Sequence, residues 1–149
     1  MAHELQRRRC EEDFSYFVRT FWHVIEPGVP YTHGRHIEAI SDHLNAMLPI
    51  WIPPAGGQPG HWQPGQSRKL VVTMPFRHGK SAVISVLWPA WVWTFRPSLR
   101  WLTSSYSLAL ATRDTMRMRV VLMSPLYHLL WSDRFRMLAY ENRKDKVYN

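Results

Sequence analysis

The chain of 149 residues has a single cysteine, Cys10, so an internal disulfide and a cysteine-built metal site are both excluded. Acidic residues are in short supply. There are 11 of them against 19 lysines and arginines, a formal charge of +8, which suits a polyanionic partner without demanding one. Long apolar runs are also missing. The most apolar stretch, Ala82 to Phe95, is interrupted by Ser85 and Pro89 and is too short to cross a bilayer. Arg7-Arg8-Arg9 is followed by no apolar segment, so a secretory signal is absent and cytoplasm is the expected compartment, with no membrane partner. No internal repeat is present. What remains is globular in composition, nearly half apolar with eight tryptophans, and of a length that fits one core of moderate size.

The stretch that carries chemistry is Lys69-Leu70-Val71-Val72-Thr73-Met74-Pro75-Phe76-Arg77-His78-Gly79-Lys80-Ser81. A β-branched run leads through a proline into Gly-Lys-Ser and then into an apolar helical segment. A phosphate-binding loop needs that order, because amide N–H groups at a helix start surround phosphate oxygens once glycine lets the backbone close in. Lys80 would face the β- and γ-phosphates and the Ser81 hydroxyl would face magnesium. The pattern is partial: Met74 stands where the first glycine belongs. An ordinary turn between a strand and a helix is the competing reading.

Around this stretch, residues 1 to 10 read as a frayed charged leader. Phe14, Phe17, Val18, Phe21 and Ile25 form one stripe of a helix ended by Pro27-Gly28, and a second helix is expected from Arg35 to Met47 on Ile37, Ile40, Leu44 and Leu48. Between them Tyr31 and His36 are candidates to stack on and hydrogen-bond a base, or else they belong to a capped helix start. Pro53 to Gln66 reads as loop. The helix after Gly79 is expected to reach Trp93, with a kink or break near Ser85 to Leu87 caused by Pro89. Leu99 to Ser104 is a second strand candidate. A helix follows with Leu108, Ala111, Met118, Val121 and Leu122 inward and Arg113, Asp114, Arg117 and Arg119 outward. Ser124-Pro125 opens a short helix, and Phe135 to Tyr140 could begin a strand.

The order of Phe14 to Phe21, Tyr31 with His36 and Leu44, Met74 to Ser81, Ser104-Ser105-Tyr106 and Ser124-Pro125-Leu126-Tyr127 resembles the N-terminal part of the large terminase subunit of tailed bacteriophages. That resemblance implies an α/β fold of the additional-strand class of P-loop NTPase, incomplete here, with residues 1–60 as a helical preface and 61–149 as the ATPase core. It implies ATP and Mg2+ as cofactors, with Pro75, Phe76, Arg77, His78, Gly79, Lys80 and Ser81 around the phosphates, Lys80 and Arg77 in catalytic roles and Ser81 on the metal. Tyr31 and His36 fall where the family contacts adenine. The implied partners are double-stranded DNA, a portal ring, a small terminase subunit and further copies in a homo-oligomeric ring, in the bacterial host cytoplasm.

Hydrolysis needs an apolar strand ending in an acidic pair. After Ser81 the acids are Asp114, Asp133, Glu141 and Asp145, and none ends such a strand. The nuclease carboxylates of the family are missing as well, so the resemblance covers the front part of a motor domain and little ATPase turnover is expected. The strand before the loop should have unpaired edges. Two alternatives stand: a non-catalytic DNA-binding module using Arg113, Arg117 and Arg119, and part of another P-loop enzyme such as a kinase or helicase.

Overall fold

A computed structural model describes residues 2–52, 61–67, 69–75 and 78–134. Six α-helices form among them: α1 (Ala2–Glu12), α2 (Phe14–Ile25), α3 (Arg35–Met47), α4 (Trp88–Trp93), α5 (Leu108–Leu122) and α6 (Pro125–Trp131). Ala82–Leu87 is wound as a π-helix that runs directly into α4. The described strands are β1 (Ile50–Ile52) and β2 (His61–Gln63), paired antiparallel with Trp51 opposite Trp62.

This overturns the α/β expectation. The described residues are helical, with one small antiparallel hairpin and no parallel sheet. Lys69–Thr73 and Leu99–Ser104, both expected as strands, are not strands and have no strand partner among the described residues. A β-branched run fits a pleated surface but does not supply its neighbour. The loop expected over Pro53 to Gln66 contains β2 at its end. The Phe135 to Tyr140 strand candidate lies outside the described residues.

The chain forms two compact units, one of residues 1–32 with 76–149 and one of residues 33–75. In the first, the stripe on α2 is the organising surface. Phe14, Phe17, Val18 and Phe21 are fully buried. Phe17 and Phe21 stack at 4.5 Å between centroids, Phe14 meets Trp91 at 5.0 Å, and Tyr127 meets Trp131 at 4.8 Å. Each such side chain contributes about 1.5–3 kcal/mol by leaving water. Their polar ends are satisfied. The Trp91 indole donates to the Cys10 carbonyl at 2.6 Å, the Tyr127 hydroxyl to the Ala90 carbonyl at 2.9 Å, and the Trp131 indole to the Glu11 carboxylate at 2.9 Å.

The leader expected to fray is α1. Cys10 is fully buried against α2, and Arg7 grips the Asp133 carboxylate through both terminal nitrogens, at 3.1 and 2.9 Å. α5 also departs from expectation. Val121 and Leu122 are buried, but Leu108, expected inward, is 82% exposed. α6 begins as its sequence indicates, with the Ser124 hydroxyl accepting from the Tyr127 amide at 3.3 Å.

Pro89 accounts for the π winding. Its ring has no N–H for the Ser85 carbonyl and would crowd that carbonyl in regular α geometry. Wider winding moves the register, and the Trp88 amide bonds to the Val83 carbonyl five residues back. The irregularity falls at the expected residues, as π winding.

In the second unit α3 has the bounds read from its periodicity. Ile37, Ile40 and Leu44 are buried, and the Ser41 hydroxyl, also buried, donates to the Ile37 carbonyl at 2.8 Å. Beyond the hairpin, Gly65 passes so close to the end of α3 that a Cβ there would run into the Met47 carbonyl. Only glycine fits that approach.

Candidate nucleotide phosphate site

Gly79 has a φ of +74°, in the left-handed region, where a side chain is disfavoured. Helical geometry begins at the next residue, Lys80. A Cβ on Gly79 would also meet the Trp22 ring at 3.2 Å from Cη2. Backbone geometry and space therefore both call for glycine at this turn.

Trp22 is fixed in turn. Its indole N–H donates to the Val29 carbonyl at 3.0 Å, and the Tyr31 ring stands edge-on to it at 5.7 Å between centroids. The glycine turn is thus backed by an aromatic pair from the end of α2 and the segment behind it.

Lys80 and Ser81 occupy the first helical turn, where N–H groups have no carbonyl ahead of them within the helix. Among the described residues neither side chain has a hydrogen bond or ion pair. Lys80 is half-buried and Ser81 exposed. A cation, a hydroxyl and a row of amide donors therefore share one helix start. These groups fit a phosphate chain, and Ser81 supplies one oxygen toward a hard cation.

The structure brings some of the expected site residues together. Gly79, Lys80 and Ser81 form the turn, with His78 exposed beside Gly79, and Tyr31 joins them through Trp22. His36 belongs to the other compact unit, its ring folded over Gly34, where a Cβ would lie 2.5 Å from His36 Cε1. Pro75 lies at the end of the irregular segment 69–75 of that same unit. Phe76 and Arg77 lie outside the described residues. Trp22 was not a candidate from sequence. Its signal was an aromatic ring on α2 just off the buried stripe, a position whose packing the periodicity leaves unassigned.

Among the described residues no carboxylate pairs with Lys80 or Ser81. Asp114 is held by Arg113 at 2.8 Å and Asp133 by Arg7. Arg7 holds the Asp133 carboxyl below the usual carboxylate range. Among the described residues no group of three His, Cys, Asp or Glu could hold a metal ion. On the arginine face of α5, Arg117 pairs with Glu26 at 2.8 Å and Arg113 with Asp114. Those pairs neutralise much of the surface that a DNA-binding reading would use. No helix among the described residues is long and apolar enough to cross a membrane.

No family model, no curated protein and no solved structure matches the chain.

Proposed function

We propose that the chain binds the phosphates of ATP with Mg2+ at Gly79-Lys80-Ser81, as the nucleotide-binding part of a DNA-packaging motor of the terminase large-subunit kind. One observation carries the reading: a left-handed glycine immediately precedes a helix whose first two side chains, an ammonium and a hydroxyl, have no partner among the described residues. The reading rests on that turn and on the resemblance of its surrounding sequence, and it takes no support from a sheet.

In this role the amides and Lys80 bind phosphate oxygens, and Ser81 offers its hydroxyl to magnesium. Magnesium, when bound, screens charge between the phosphates. Trp22 packs against the turn, and Tyr31 is proposed as the base contact on the resemblance. Arg77 is proposed near the terminal phosphate on the resemblance alone. DNA, a portal ring, a small subunit and a ring of copies in the host cytoplasm are proposals on the same ground. Negligible turnover is proposed, since among the described residues no acidic pair lies at this turn to orient water.

Calorimetric titration with magnesium ATP tests this. Binding by the native chain and a loss of about tenfold or more in Lys80→Ala, the weight of one charge-assisted contact, is the expected outcome. Equal affinity in the two proteins would remove Lys80 from the site and overturn the proposal.

A further inference from the structure

Glycine at position 79 permits the left-handed conformation but does not impose it. With no Cβ, the residue visits left- and right-handed basins about equally, so its φ of +74° is selected by what surrounds it. Chain neighbours aside, the atoms of the described residues that a Cβ there would meet within 4 Å are Cη2 and Cζ3 of Trp22, at 3.2 and 3.6 Å. One ring edge is the wall behind the turn. That wall is itself anchored. Phe21 and Ile25, on the same helix α2, are buried and fix its rotation. The Trp22 indole N–H donates to the Val29 carbonyl at 3.0 Å, and the Tyr31 ring meets it edge-on at 5.7 Å. Trp22 is only half-buried and lies off the stripe that builds the core. Its contacts serve the turn and the connector after α2.

We propose that Trp22 is a positioning residue for the phosphate chain. It holds Gly79 in the left-handed conformation before a ligand arrives, so that the amides of Lys80 and Ser81 are already set for phosphate oxygens. This role rests on the phosphate-site reading above and adds to it a residue from a distant part of the chain. Preorganisation raises affinity by removing an ordering cost from the binding step. Fixing the backbone of one residue corresponds to about tenfold in affinity. Because Trp22 acts on the turn that meets the phosphates, its effect is the same whether or not a nucleoside is attached to them.

The test is calorimetric titration of the full chain with two probes, magnesium ATP and magnesium tripolyphosphate. Trp22→Phe keeps an aromatic ring but loses the bond to Val29 and the reach to Gly79, and Trp22→Ala removes the ring altogether. Each should bind both probes about tenfold more weakly than the native chain, at a temperature where circular dichroism shows it as folded as the native chain. Trp93→Phe is the control. Its indole is also half-buried and also donates to a carbonyl, that of Leu99 at 2.7 Å, yet it should stay within about twofold of native affinity. Native affinity in the folded Trp22 variants would overturn the positioning role and leave the site standing. A loss with ATP alone would make Trp22 a contact for the nucleoside, and an equal loss in Trp93→Phe would make the effect a general loosening; either would overturn it too. Failure of the native chain to bind either probe would remove the site itself, and the role with it.

Discussion

The aromatic core around α2 and the irregular segments at 69–75 and 99–105 are built from similar residues with opposite results. In the core, Phe14, Phe17, Phe21, Trp91, Tyr127 and Trp131 each meet other rings, and the polar ends of three of them have acceptors: Trp91 on Cys10, Tyr127 on Ala90, Trp131 on Glu11. In the irregular segments Val71 is 89% exposed and Leu102 79% exposed, and the indole N–H groups of Trp101 and of Trp88 in α4 are buried without acceptors among the described residues. The difference is one of range. Helices satisfy their backbone internally and need only a face to bury, whereas a strand is completed by a neighbour that its own residues do not provide.

The largest expected effect tests the core. Trp131→Ala removes a fully buried ring that touches Phe17, Phe21 and Tyr127, and should cost about 3–5 kcal/mol in denaturant unfolding. Gly79→Ala comes next. It places a Cβ against Trp22 at a positive φ, for a loss of about 1–2 kcal/mol, and it should weaken nucleotide binding more than it weakens the fold. Ser124→Ala removes the cap of α6 and should cost about 1 kcal/mol. In contrast, Val71→Lys at an exposed position of the irregular segment should change stability by less than about 0.5 kcal/mol. A cost for Val71→Lys near that of Trp131→Ala would erase the comparison.

The smallest effect is electrostatic. Arg7 depresses the folded-state pKa of Asp133, chiefly through its hydrogen bonds. That carboxylate therefore stabilises the fold above its ordinary unfolded value, and the contribution is lost as pH falls through the folded one. The pair is solvent-screened, so the change is small. Arg7→Ala should lower stability slightly at neutral pH and leave it nearly unchanged once the carboxylate is protonated, so the acid limb of the stability curve flattens slightly. The thiol of Cys10 gives a separate check on α1. Burial pushes it up to about 11, so native protein at pH 8 should resist thiol reagents that react at once after unfolding.

Much of the helical part was legible. The stripe of Phe14, Phe17, Val18, Phe21 and Ile25 is the buried face of α2, α3 runs from Arg35 to Met47, and Ser124 caps α6, because these features follow from spacings of three and four residues and from local side-chain bonds. Pro89 likewise announced the irregular winding before it. What was not legible depends on distant partners. Arg7 ordered α1 through Asp133, which no local pattern reveals. Trp22 reached Gly79 across 57 positions in sequence. Lys69–Thr73 and Leu99–Ser104 read as strands from composition yet have no strand neighbours among the described residues. Of the candidate site, the turn and its lysine and serine were readable, while the aromatic pair behind them emerged from packing.

Amide hydrogen exchange at Gly79, Lys80 and Ser81, measured with and without magnesium ATP, puts the proposed cradle to the most direct test. These amides should exchange more slowly when nucleotide is present, and the slowing should vanish in Lys80→Ala. Unchanged exchange at all three, with protection instead along Arg113 to Arg119, would contradict the account.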